Sequence, residues 1–121
     1  IRWAGDHLLF SAEPENWAHW YSVPANRVSR DPTLLTPGEG EVESVAVSPD
    51  GSTLFYSANI GELDRRHIWR VPVAGGPAVQ LTDGAMIETA PVVTGSGRSL
   101  AVLRGGPSNP VTVAVLPAQG G

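Results

Sequence analysis

Apolar residues occur along the chain in short runs, each closed by Gly, Pro, Asn or Asp. Ser44-Val45-Ala46-Val47 is β-branched and apolar, which predicts a buried strand. Thr53 to Ala58 predicts a second strand, His67 to Pro72 a third, and Ala78 to Leu81 a weaker fourth. Ser48-Pro49-Asp50-Gly51 predicts a tight turn: Pro49 presets φ, Asp50 bonds nearby backbone, and Gly51 takes a positive φ. Ala74-Gly75-Gly76-Pro77 predicts a second turn, and the polar stretch from Asn59 to Arg66 a loop. No window keeps a helical apolar period for ten residues, and proline interrupts most candidates, so little or no helix is expected.

The pattern repeats at an offset of 46 residues. Gly5 falls on Gly51 and then on Gly97, and Leu8 on Leu54 and Leu100. The run Leu8 to Ala12 falls on Leu54 to Ala58, and Leu35-Thr36 on Leu81-Thr82. With a two-residue loop adjustment, His19 to Pro24 falls on His67 to Pro72. Four short strands per repeat of this length predict the blade of a β-propeller. An open β-sandwich has strands at similar spacing but no reason to repeat at a constant offset. The expected fold is therefore all-β: a partial propeller of about 2.6 four-stranded antiparallel blades. The expected boundaries are an incomplete blade over 1–43, a complete blade over 44–89 and an incomplete blade over 90–121. Such a chain needs further blades, from a longer protein or from other copies; three copies would supply about eight. A first residue of Ile rather than Met agrees with an excised or processed piece.

Composition narrows the function classes. There is no cysteine among the 121 residues, which excludes disulfide scaffolds and thiol chemistry. The net charge is −4 and every cation is Arg, so nucleic acid is not expected as a partner. No run approaches the ~18 apolar residues of a membrane span. Charge also has an address. In a meander of four strands, the longer loops share one edge of the blade and the tight turns share the other. Nine of the twelve acids are assigned to the long-loop edge: Glu13, Glu15, Glu39, Glu41, Glu43, Glu62, Asp64, Asp83 and Glu88. Arg65, Arg66 and Arg104 are assigned there too. Such an edge attracts positive ligands, with peptide amino termini or a basic partner surface as candidates. Ordinary solvation of loops explains the same composition.

No catalytic, metal or cofactor site is expected within the chain. Gly95-Ser96-Gly97 lacks the spacing of a nucleophile elbow and lies on a strand-to-strand turn. His19 and His67 occupy equivalent positions of successive blades and His7 lies on another strand, so no metal-ligand spacing arises. His19 and His67 are expected to make structural hydrogen bonds at the start of each third strand. Tyr21 and Trp69 align in the repeat and are expected to pack in the core or between blades. Trp17 lies in a loop and is the aromatic candidate for an exposed contact.

Several segments resemble known families. Ser48-Pro49-Asp50-Gly51 is similar to the S-P-D-G signature of WD40-like repeats, shared by TolB-type propellers and those of prolyl oligopeptidase-family serine peptidases. In the third copy Thr94-Gly95-Ser96-Gly97 replaces it, without Pro-Asp. Glu15 to Tyr21 resembles the "D-G-W-x-H-L-Y" stretch of dipeptidyl peptidase IV-type propellers, with Glu15 and Asn16 in place of Asp-Gly and Trp20 in place of Leu. Arg66 to Val71 followed by Gly75-Gly76 resembles their "R-H-L-Y-R-V…G-G" motif. Arg104 to Val111 resembles the Gly-Pro-rich segment of their final blade. The resemblance implies a non-catalytic propeller segment of a bacterial dipeptidyl aminopeptidase. It would gate and help position peptides for a separate, downstream α/β-hydrolase domain. Candidate contacts are then Glu13, Glu15, Trp17, Glu39, Glu41, Glu43, Glu62, Asp64, Arg65 and Arg66, while Pro49, Asp50, Gly51, Gly75, Gly76 and Gly97 are turn residues. Two alternatives stay open: a TolB-like scaffold that binds a protein partner, and the propeller part of an unrelated hydrolase or lyase. The compartment is not fixed; the resemblance points to the periplasm or secretion. Self-association of the chain is a further expectation.

Overall fold

The computed structural model describes residues 1–13, 17–26, 31–62 and 64–120, and it is all-β. Among the described residues, eleven strands form three antiparallel sheets of four, four and three strands. The first sheet holds β1 (Arg2–Ala4), β2 (His7–Ala12), β3 (His19–Pro24) and β4 (Thr33–Leu34). The second holds β5 (Val42–Val47), β6 (Thr53–Ala58), β7 (His67–Pro72) and β8 (Val79–Gln80). The third holds β9 (Ile87–Val93), β10 (Ser99–Gly106) and β11 (Asn109–Pro117). Strands β2, β6 and β10 begin at residues 7, 53 and 99, so the 46-residue offset is a spatial repeat. The architecture is a partial β-propeller, with each sheet a blade.

Two apolar cores lie between consecutive blades. Leu9 and Leu35 of the first blade meet Leu54, Tyr56 and Val71 of the second. Phe55 and Ile68 of the second meet Leu100 and Val102 of the third. This explains why β6 departs from the in–out alternation of a half-buried strand. Leu54 to Ala58 are all buried, because odd and even positions both face a neighbouring sheet. Each blade turns equivalent positions to the same side. Leu54 and Leu100 face the preceding blade, and Leu9 and Phe55 face the following one. Two aromatic stacks recur in the same register: Phe10 with Tyr21 at 5.6 Å and Tyr56 with Trp69 at 6.3 Å. Burial raises the Tyr56 hydroxyl well above the usual phenol range.

Of the three prolines in the third blade's strands, Pro91 and Pro110 sit at bulges and Pro117 ends β11. Register shifts between Ala101 and Leu103, so Ala90 and Pro91 together oppose Val102. Ala90 takes a φ of 54° there. A second shift, between Arg104 and Gly106, leaves Pro110 and Val111 opposite Gly105. A bulged residue is released from the ladder, which suits a residue with no N–H to donate.

Candidate functional site

The connections β2–β3, β4–β5, β6–β7, β8–β9 and β10–β11 emerge at one edge of the blades. Two of them are laced together there. Glu41 N–H donates to Asn59 Oδ1 at 2.6 Å, and Asn59 N–H donates to the Glu41 carbonyl at 3.3 Å. The lacing requires glycine at position 40: a Cβ there would lie 2.7 Å from Ile60 Cα. Closely packed backbone of this kind fixes the rim of a groove of about 340 Å³ lined by Trp17, Glu39, Ile60 and Gly61. Trp17 is half-buried in the groove wall rather than exposed, and Glu39 is exposed beside it. A carboxylate next to an indole face is chemistry that receives an ammonium or guanidinium group.

The remaining acids divide into paired and solvated ones. Glu43 is the extra residue of a bulge between Val42 and Ser44, and it meets Arg66 at 2.6 Å. Arg65 meets Glu62 at 3.4 Å within the β6–β7 loop. These pairs are surface contacts worth about 0–1 kcal/mol each, but they neutralise part of the edge. Glu13, Glu39, Glu41, Asp64 and Asp83 are exposed. Glu15 lies outside the described residues.

Glu88 corrects the assignment of all nine acids to the surface. It is 1 % exposed, at the seam of the second and third blades. Its Oε1 lies 2.9 Å from His67 Nδ1, and its Oε2 accepts from Arg104 Nε at 3.1 Å. A carboxylate only accepts, so the His67 proton shared here is on Nδ1. Glu88 N–H also donates to the Arg66 carbonyl across the seam. At the seam of the first and second blades, Val42 takes its place and donates to the Ala18 carbonyl. His19 there bonds Thr36 Oγ1 at 2.9 Å. Both histidines open their strands with a structural hydrogen bond, as their repeat position predicts. Arg104 is thereby engaged as well, so all three arginines assigned to this edge have a carboxylate partner.

The opposite edge carries the tight turns. Asp50 Oδ1 accepts from Ser48 Oγ, Ser52 Oγ and Ser52 N–H. The Ser52 and Ser48 hydroxyls, with the Ser52 backbone, hold its carboxyl down at about 2. Gly51, Gly75, Gly76 and Gly97 all have positive φ, and Pro49 lies 3.6 Å from where a Gly97 Cβ would stand. These residues form turns, and stack one blade on the next.

The family model for the dipeptidyl peptidase IV (DPP IV) N-terminal region matches residues 1–110. The chain belongs to that family. No curated protein matches the sequence. Among solved structures, a protein described as TolB from Agrobacterium tumefaciens is similar with a TM-score of 0.76 and 25% identity, over 98% of this chain and 45% of that one. TolB from Acinetobacter baumannii is similar in fold, with a TM-score of 0.69 and 18% identity over 96% of this chain and 28% of that one. The chain thus spans less than half the length of either structure.

Within this DPP IV N-terminal-region chain, the structure brings two candidate contacts together, Trp17 and Glu39. It draws Glu43, Glu62, Arg65 and Arg66 into ion pairs. It leaves Glu13, Glu41 and Asp64 exposed outside that groove. The sequence pattern did not mark the His67–Glu88–Arg104 contact. One signal was available: Glu88 stands 46 residues after Val42, an apolar strand position.

Proposed function

We propose that this chain is a non-catalytic propeller segment of a dipeptidyl aminopeptidase-type serine peptidase, whose long-loop edge gates and positions peptides for a separate α/β-hydrolase domain. The observation that carries the reading is the match to the DPP IV N-terminal region over residues 1–110. The Trp17–Glu39 groove supplies a chemical reason. A free peptide amino terminus or a basic side chain is a cation, and the exposed carboxylates of Glu39 and Glu41 attract it. The effect is short-ranged, because salt screens exposed charges within about 8 Å at physiological ionic strength.

A second reading, a TolB-like scaffold that binds a protein partner, is favoured by the 25% identity to the Agrobacterium tumefaciens structure. The coding sequence beyond codon 121 separates the two. A G-x-S-x-G elbow within about 200 residues, followed by Asp and His, is expected for the peptidase. A stop codon, or a continuation without that elbow, overturns the peptidase reading and favours the scaffold.

A further inference from the structure

The dipeptide Asp-Gly occurs twice in the chain, at Asp50-Gly51 and at Asp83-Gly84, and the fold treats the two in opposite ways. Glycine has no Cβ to shield its backbone nitrogen. That nitrogen can therefore reach the side-chain carbonyl carbon of a preceding aspartate and close a cyclic succinimide. At Asp50-Gly51 both partners are held. Asp50 Oδ1 accepts from Ser48 Oγ at 2.7 Å, from Ser52 Oγ at 2.7 Å and from Ser52 N–H at 3.0 Å. Gly51 N–H donates to the Ser48 carbonyl at 2.9 Å. The turn is also packed onto the first blade, where a Cβ on Gly51 would strike Gly5. At Asp83-Gly84 none of these restraints is found among the described residues. Both residues are exposed, and no hydrogen bond to a described residue holds the Asp83 carboxylate or the Gly84 N–H. A Cβ on Gly84 would meet nothing within 4 Å.

We propose that Asp83-Gly84 is a modification site, at which Asp83 isomerises spontaneously to isoaspartate in the folded chain while Asp50 does not. In the first step the Gly84 nitrogen bonds to Asp83 Cγ. One carboxyl oxygen leaves as water, taking the carboxyl proton and the amide proton with it. Water then opens the ring. Attack at Cγ restores aspartate. Attack at the Asp83 main-chain carbonyl carbon breaks its bond to the Gly84 nitrogen, and the backbone then runs through the former side chain. Water is released and then taken up, so neither mass nor net charge changes. The first step uses the neutral carboxylic acid. The Ser52 and Ser48 hydroxyls hold Asp50 at about 2, which leaves it roughly tenfold or more poorer in that form than an ordinary carboxyl. Isomerisation at Asp83 inserts one methylene into the connection between the second and third blades. That connection is tied down on both sides. Thr82 Oγ1 accepts from Ile68 N–H at 2.9 Å, and the Thr82 carbonyl accepts from Gln80 Nε2 at 2.7 Å. Beyond the step, Glu88 N–H donates to the Arg66 carbonyl at 2.9 Å. A longer link between two fitted ends strains one of them, so ageing at Asp83 weakens the seam that Glu88 closes. None of this chemistry depends on the peptidase reading.

Incubation of the folded chain in heavy-oxygen water at mildly acidic pH tests it, with digestion in ordinary water and mass spectrometry of the peptides. Each round of ring closure and opening leaves one heavy oxygen in the residue. The Asp83 peptide is expected to gain label and isoaspartate at least about tenfold faster than the Asp50 peptide. In urea the two peptides are expected to label alike, because the fold no longer separates them. Asp83→Glu keeps the charge but would close a larger ring far more slowly, and its peptide is expected to stay unlabelled. Ser48→Ala/Ser52→Ala removes the hydroxyl donors to Asp50 and is expected to raise the label there. After ageing, the urea midpoint of the wild type is expected to fall and that of Asp83→Glu to hold. Equal labelling of the two peptides in the folded chain overturns the proposal. So does an Asp83 peptide that labels in urea but stays unlabelled in the folded chain. A midpoint unchanged after Asp83 has isomerised overturns the weakening of the seam.

Discussion

At Gly51 the backbone turns with a φ of +76°, and a Cβ there would strike the backbone nitrogen of Gly5. At Gly97, the same turn one blade later, φ is +75° but the nearest atom is Pro49 Cδ at 3.6 Å. Both positions disfavour a side chain through φ, and only the first through space. Gly51→Ala is expected to cost about 3 kcal/mol and Gly97→Ala about 1 kcal/mol, read as the shift in urea midpoint. Equal costs would mean that the first two blades do not touch at these turns. The S-P-D-G turn announces its own geometry, because proline, aspartate and glycine each act locally. Glu88 does not, because its surroundings come from His67 and Arg104, 21 and 16 residues away.

The strands tell a similar story one level up. Hydrophobic patterning locates β6 and β7, because β-branched and aromatic runs bounded by turn residues have few other uses. It treats proline as punctuation, yet Pro91 and Pro110 lie inside β9 and β11. Bulges admit them, and bulges depend on cross-strand register, which a single strand's composition does not encode. The same limit hides the seams. Both are made of repeated parts, a histidine and a threonine at equivalent positions: His19 with Thr36, and His67 with Thr82. Among the described residues, only the second seam adds a buried carboxylate, that of Glu88. Removing one partner from a buried ionic contact leaves the others desolvated and unpaired. Glu88→Ala is therefore expected to lower stability by about 3 kcal/mol. Thr36→Ala, which removes a neutral hydrogen bond at the first seam, is expected to cost about 1 kcal/mol. Chemical denaturation of the two variants checks the order; a smaller loss for Glu88→Ala would show that the contact does not hold the blades together.

For the whole molecule, the repeat was the decisive signal. A constant offset fixes which positions face forward or back in each blade, so the two cores follow from it. Charge was less legible. Counting acids by loop assigned nine to one edge, whereas Arg65, Arg66 and Arg104 pair with Glu62, Glu43 and Glu88 and reduce its field. What persists is local: a groove with Trp17 in its wall and Glu39 on its rim. The proposed function requires this groove to receive a peptide ammonium group. The most direct measurement is an NMR titration of the chain with a short peptide bearing a free amino terminus, and with its N-acetylated form. The Trp17 indole N–H and the Glu39 amide are expected to shift with the free-amine peptide, and both shifts are expected to vanish on acetylation and in Glu39→Gln. Equal shifts with both peptides, or none at Trp17, would contradict a peptide-ammonium site in this groove.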